Sequence, residues 1–215
     1  MNPHRPPEPA PDEILGALAA LAVEADVPAG AAELSALARY VALLQTWNAR
    51  INLTAARTGP DIISMHFHDV FWLARALGGP ASVVDVGTGG GLPGLPLAIL
   101  RPSLRVCLVE SIAKKAAFLR TAIRELDLGA RVSVEARRAE ALAAAAPASF
   151  DVAVSRAAMP PPSWLALGAR LVRAGGRVFL FALAGEAPAH PELRLRSRQA
   201  YAGGRRWLFE LERST

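Results

Sequence analysis

The stretch that decides the fold is Val83-Val84-Asp85-Val86-Gly87-Thr88-Gly89-Gly90-Gly91-Leu92-Pro93-Gly94. A short apolar run leads into glycines, and the chain then resumes as a helix with proline in its first turn. Glycine adopts positive φ and lets the backbone approach a ligand closely. The helix start offers unpaired N–H groups. A turn of this kind at the carboxyl end of a first strand is where open α/β sheets bind nucleotides.

Outward from that turn, strands and helices alternate. Ser82–Val86 reads as a buried strand and 93–100 as a helix. Arg105–Val109 is a second strand, followed by a helix over 112–126. Strands over 131–134, Asp151–Val154 and 177–183 alternate with helices over 140–146 and 163–172. The alternation predicts a mostly parallel, doubly wound α/β sheet. Gly203-Gly204 predicts a turn into a last edge strand, Trp207–Leu211. Ahead of the sheet, residues 12–77 read as helical. Ile14, Leu15, Leu18, Leu21 and Ala22 keep helical spacing, as do Leu34, Leu37, Tyr40, Val41, Leu44 and Trp47. A further helix is expected from about Asp61 to Leu77, before Gly78-Gly79-Pro80 interrupts the pattern. The expected organisation is a disordered leader over 1–11, a helical extension over 12–79, and an α/β domain over 80–215 integrated with it.

The chain has 215 residues, 52% of them hydrophobic, enough for one full core. No apolar run is long enough to span a membrane. Residues 1–13 hold five prolines and lack the order of a signal peptide. A lone cysteine, Cys107, excludes an internal disulfide and fits a reduced cytoplasm. The net charge is +5 and the positive charge is almost all arginine, since Lys114 and Lys115 are the only lysines. A GC-rich genome produces such a composition, and so does selection for a polyanionic partner.

Gly89, Gly91 and Gly94 formally satisfy a dinucleotide fingerprint. Asp85 argues otherwise, because a carboxylate at the end of the strand would repel a pyrophosphate. The order Asp-x-Gly-x-Gly-x-Gly resembles class I methyltransferases, whose acid faces the cationic methionine end of S-adenosyl-L-methionine. Glu110, about 20 residues on, is placed to accept hydrogen bonds from ribose hydroxyls in either cofactor class.

Several acceptor chemistries lack their residues. Ser155 to Pro162 contains no Asn/Asp-Pro-Pro-aromatic motif for exocyclic amines. Cys107 reads as a small core residue within a strand, not a nucleophile for a pyrimidine carbon. The two adjacent lysines do not match the dispersed lysines of ribose methylation. An acceptor that needs no strong base remains, and a guanine N7 is such a lone pair; positioning then supplies much of the catalysis.

A set of separated segments makes the resemblance specific. They are Trp47 to Thr54, His66-Phe67-His68-Asp69, Asp85 to Ile99, Val109-Glu110-Ser111 with Lys114-Lys115 and Phe118-Leu119, Arg138-Ala139-Glu140, and Asp151 to Ala157. Over about residues 34–185 the chain resembles the ribosomal RNA small subunit methyltransferase G family, also called the glucose-inhibited division protein B family. The resemblance implies a single class I (Rossmann-like) methyltransferase domain with an N-terminal helical extension. It also implies S-adenosyl-L-methionine as cofactor and N7 of a guanine in the 530 loop of 16S rRNA as acceptor, either naked or in the small ribosomal subunit. No metal and no membrane are implied, and a monomer is favoured. The family's cofactor contacts fall on Gly87, Leu92, Ala139, Glu140 and Arg156. Asp85, Gly89 and Glu110 join them on general methyltransferase logic.

Other residues have plainer readings. Asn48, Asn52 and Thr54 suit helix termination. His66 and His68, two apart, point to different helix faces and cannot readily share a metal. Arg194, Arg196, Arg198, Arg205 and Arg206 form a basic cluster for solvent or an RNA backbone. The chain departs from the family pattern at Ala184, where a lysine is usual, at Val70, where serine is usual, and in the run Pro160-Pro161-Pro162. Alternatives left open are a class I methyltransferase with another substrate, and a weakly catalytic assembly factor that binds cofactor and RNA. A nicotinamide oxidoreductase is a distant further one.

Overall fold

The computed structural model describes residues 11–183 and 186–214. The expected leader therefore lies outside it except for Pro11, which opens the first helix, and Ala184 and Gly185 also lie outside. The elements in chain order are α1 (Pro11–Glu24), α2 (Ala31–Ile51), α3 (Gly59–Ile62), a π-helical segment (Ile63–Phe67), α4 (His68–Ala76), β1 (Ala81–Val86), α5 (Gly94–Leu100), β2 (Leu104–Val109), α6 (Ala113–Glu125), β3 (Val132–Glu135), α7 (Ala139–Ala145), β4 (Phe150–Ser155), α8 (Pro161–Leu171), β5 (Val172–Ala182), β6 (Leu193–Tyr201) and β7 (Arg206–Arg213). The sheet order is β3-β2-β1-β4-β5-β7-β6. The first five strands pair in parallel, and β7 runs antiparallel to both β5 and β6.

The sheet is covered on both faces, as expected, and the alternation of side chains along each strand sorts the core into two layers. Val83, Val106, Val132 and Val152 meet helices α1 to α6 on one face. Val84, Val86, Ala153 and Val178 meet α7 and α8 on the other. The first layer is continuous from Leu18 and Leu37 through Phe71 to Leu97 and Phe118. The N-terminal helices and the sheet therefore bury their apolar stripes together.

Local chemistry explains the boundaries. The Glu33 side chain accepts from the Gly30 amide before α2, and Asn52 ends that helix in the left-handed region at φ 52°. Thr58 and Asp61 exchange side-chain-to-backbone hydrogen bonds of 3.3 Å, starting α3 two residues before the expected Asp61. The π-helical turn after it was not expected from periodicity. The run Pro160-Pro161-Pro162 supplies the N-cap and first turn of α8, where a missing N–H costs nothing.

The last part of the sheet corrects one expectation. Trp207–Leu211 lies within a strand, but β7 is an inner strand between β5 and β6. The edge is β6, whose exposed Arg194, Arg196 and Arg198 discourage further strand pairing. β5 also begins earlier than expected, because Val172 pairs with Phe150 before a register shift near Gly175.

Candidate active site

The glycine loop joins β1 to α5 at the carboxyl edge of the sheet. Gly87, Gly89 and Gly91 have φ of 68°, 57° and 87°, where a side chain would strain the backbone. A Cβ on Gly87 would also meet the Ala158 Cβ at 2.5 Å, so the loop after β4 packs directly on the turn. The amides of Gly87 and Thr88 donate to the Val109 carbonyl, tying the turn to the end of β2.

Asp85 holds this loop from beneath. It is fully buried, and its Oδ2 accepts from the Thr88 hydroxyl at 2.6 Å and the Gly94 amide at 2.9 Å. Its Oδ1 is buried without a hydrogen-bond partner. Burial pushes the carboxyl up to about 6, against the pull of Thr88, Gly94 and Arg156. A carboxylate in this position has a spare acceptor and is relieved by a cation. Both features suit the ammonium or sulfonium of S-adenosyl-L-methionine.

Glu110 follows β2 and is nearly buried. Its Oε2 accepts from the Gly89 amide at 3.1 Å and its Oε1 from the Ile112 amide at 2.8 Å. An ionised carboxylate has about four lone-pair sites, so two remain for ribose hydroxyls. Ala139 and Glu140 open α7 just after β3, with Ala139 buried and Glu140 exposed. Leu92 is buried within the first core layer, so at this point its backbone borders the loop. The structure thus gathers Asp85, Gly87, Gly89 and Glu110 at adjacent strand ends, with Ala139 and Glu140 one strand further out.

Arg156 comes from the end of β4, on the other side of β1. Its guanidinium donates to Asp69 Oδ2 at 3.1 Å and contacts His66 Nδ1. Asp69 is buried and shared, accepting also from the Tyr201 hydroxyl at 2.6 Å and from Arg206 at 2.8 and 2.9 Å. His66 Nε2 lies 2.6 Å from Thr54 Oγ1. Burial, and then Arg156, lower the His66 pKa to about 3, so the ring is neutral at physiological pH. One carboxylate faces two guanidinium groups, and a net positive charge is left at the rim.

This network holds residues that sequence reasoning did not join. Arg206 belongs here, not with the exposed Arg194, Arg196, Arg198 and Arg205, because Asp69 draws it inward. His66 was weighed against His68, but His66 and Asp69 are three residues apart on one helical side and bond the same arginine. That spacing was the available signal. Thr88 and Tyr40 were also unassigned; Tyr40 is fully buried and donates to the Gly90 carbonyl at 2.7 Å. Asn48 does more than end a helix. Its side chain accepts from the Leu53 and Thr54 amides and donates to Ala56, fixing the loop that carries Thr54. Cys107 is half-buried in mid-strand and its thiol is pushed up to about 11 by burial, which suits a packing residue.

The chain matches the family described as GidB: rRNA small subunit methyltransferase G over residues 33–202. Ribosomal RNA small subunit methyltransferase G of Xanthomonas axonopodis pv. citri (strain 306) is 45% identical over 157 residues, covering 73% of this chain and 71% of that protein. The protein of the same name from Geobacter sp. (strain M21) is 37% identical over 157 residues, covering 73% and 72%. Among solved structures, P. horikoshii TYW2 in complex with MeSAdo aligns with a TM-score of 0.58 at 15% identity, covering 76% of this chain and 65% of that one. An O-methyltransferase family protein from Burkholderia thailandensis aligns with a TM-score of 0.55 at 16% identity, covering 73% and 58%. At these identities the structural likeness speaks to the class I methyltransferase fold alone. The match over residues 33–202, with 45% identity across most of both chains, shows that this chain belongs to the rRNA small subunit methyltransferase G family.

Proposed function

We propose that the protein is an S-adenosyl-L-methionine-dependent methyltransferase that modifies N7 of a guanine in the 530 loop of 16S rRNA. The observation that carries this reading is the buried Asp85, with an unpartnered oxygen under a glycine turn, beside Glu110 at the neighbouring strand end. Asp85 and the turn of Gly87 and Gly89 would hold the methionine end, and Glu110 the ribose. Ala139 and Glu140 would border the adenine, with Leu92 at the loop and Arg156 at the rim.

When bound, S-adenosyl-L-methionine would supply an electrophilic methyl group for the N7 lone pair, with the electron pair of the carbon–sulfur bond left on sulfur. The acceptor carries no proton to remove, so the chain's own task is to orient the base and keep water out. His66, being neutral, adds no cation beside a base that becomes positively charged. The exposed Arg194, Arg196, Arg198 and Arg205 supply a phosphate-binding track. β6 runs parallel to β5, so this track ends at the same edge as the site. The helical segment 12–79 and residues 80–215 act as one unit, since Thr54 and Asp69 of the first complete the rim of the second. A ribosomal substrate makes the cytoplasm the working compartment. No helix among the described residues is long and apolar enough to cross a membrane.

The test is methyl transfer from labelled S-adenosyl-L-methionine to small subunits and to naked 16S rRNA from cells lacking the modification. The product is mapped by cleavage at 7-methylguanine. One labelled guanine in the 530 loop is expected. Cofactor binding without transfer to either RNA would reject the assignment in favour of another substrate or an assembly role.

A further inference from the structure

At the rim, Thr54 differs from an ordinary threonine in the hydrogen bonds its hydroxyl makes. An arginine side chain has only donors, so where Arg156 meets His66 Nδ1 that nitrogen is the acceptor. A neutral imidazole with Nδ1 accepting carries its one proton on Nε2. That proton is donated to Thr54 Oγ1, 2.6 Å away. The Ala56 amide donates to the same oxygen at 3.2 Å. Both lone pairs of the hydroxyl are thereby engaged, and its own proton is unspent. Thr54 is a donor that cannot accept.

Its place in the fold is at the glycine turn. The preceding residue, Leu53, lies against Gly89 and Gly90, with its carbonyl oxygen 3.9 Å from where a Cβ on Gly89 would sit and its own Cβ 3.5 Å from one on Gly90. Thr54 is half-buried, at the border between the core and the surface. The purines differ at the position next to N7: guanine presents the O6 acceptor there and adenine an N6 amine donor. An ordinary threonine serves either, because its hydroxyl both donates and accepts. A threonine with both lone pairs filled serves only the acceptor.

We propose that Thr54 is a specificity-determining residue that donates its hydroxyl proton to O6 of the target guanine and so rejects adenine, with His66 and Arg156 fixing its donor role. The proposal rests on the guanine-N7 reading above. It leaves N7 itself unbonded and free to react.

The experiment compares 16S rRNA carrying guanine at the target with RNA carrying 2-aminopurine there, which keeps N7 and lacks O6. For the wild-type enzyme, kcat/KM should fall about tenfold with 2-aminopurine, the size expected for one lost hydrogen bond. Thr54→Val should lose about tenfold on guanine and nothing further on 2-aminopurine, because both changes remove the same bond. Thr54→Ser should recover the guanine rate. Equal wild-type rates on the two bases overturn the proposal, and so do losses that multiply in the Thr54→Val enzyme. Should Thr54→Val fail to fold, the wild-type comparison of the two bases decides alone. A wild-type enzyme that methylates no guanine overturns the guanine-N7 reading itself, and this proposal with it.

Discussion

Two aspartates at opposite edges of the sheet are treated in opposite ways. Asp151, near the start of β4, accepts from the Ser82 amide at 2.7 Å, the Ser82 hydroxyl at 2.8 Å and Arg173 at 2.6 Å. Those bonds, with the Ser82 amide foremost, hold its carboxyl below the usual range. Asp85, near the end of β1, is fully buried with one oxygen unpartnered, and burial pushes it up to about 6. The amino edge also has a hollow of about 280 Å³ lined by Ser82, Arg105, Cys107, Arg131 and Ser133. The difference lies in unmet electrostatic demand: Asp151 has its partners within the protein, while Asp85 keeps an unpartnered oxygen that a cationic ligand would relieve.

The largest effect is expected at the rim, where two guanidinium groups share one carboxylate. Asp69 compensates Arg156 and Arg206 together. Asp69→Ala leaves both guanidinium groups without their carboxylate, and a broken buried pair costs about 3–5 kcal/mol. Denaturant unfolding should show a loss near that size, with methylation of rRNA falling as Arg156 and His66 lose register. A loss under about 1 kcal/mol, in the range of an exposed pair, would mean that the rim is as well solvated as the surface.

Asp85→Asn is next. Cofactor affinity, measured by calorimetry, should fall by about a hundredfold, as for loss of a charged hydrogen bond. Stability should respond in the opposite direction. A carboxyl raised to about 6 from 3.8 binds its proton more tightly in the folded state. Wild-type stability therefore declines as pH rises between those values. The asparagine variant should lack that decline and match or exceed wild-type stability at pH 7. Lower stability at pH 7 with unchanged cofactor affinity would make Asp85 a structural residue like Asp151.

The loop that carries Asp85 was legible in the sequence because its cues are local. A strand, glycines and a proline-marked helix start lie within twelve consecutive residues. The alternation after it was legible for the same reason, through periodicity and glycine or proline punctuation. The rim was not, because its bonds join residues far apart in the chain. Asp69 is 87 residues from Arg156, 132 from Tyr201 and 137 from Arg206. No local pattern distinguishes Arg206, which turns inward to Asp69, from Arg205, which stays exposed. The order of β6 and β7 was hidden likewise: Gly203-Gly204 marks a hairpin, but which of its strands pairs with β5 depends on burial. Leu208, Phe209 and Leu211 of β7 are buried, whereas β6 exposes arginine at 194, 196 and 198.

Asp151→Asn should have the smallest effect, and its pH dependence distinguishes the two edges. The mutation weakens the bonds to Ser82 and Arg173 at a half-exposed site, so about 1 kcal/mol of stability should be lost at pH 7. A carboxyl held below 3.8 stabilises the fold above that pH, and the contribution fades as pH falls through the lowered value. Wild type and variant should therefore converge in acid, where Asp151 becomes protonated. This is the reverse of Asp85, whose cost grows with rising pH. Cofactor affinity and methyl transfer should stay within about twofold, an energy of roughly 0.4 kcal/mol. Impaired cofactor binding in Asp151→Asn would mean that strain passes along β4 to Arg156, and the two edges could no longer be treated as independent.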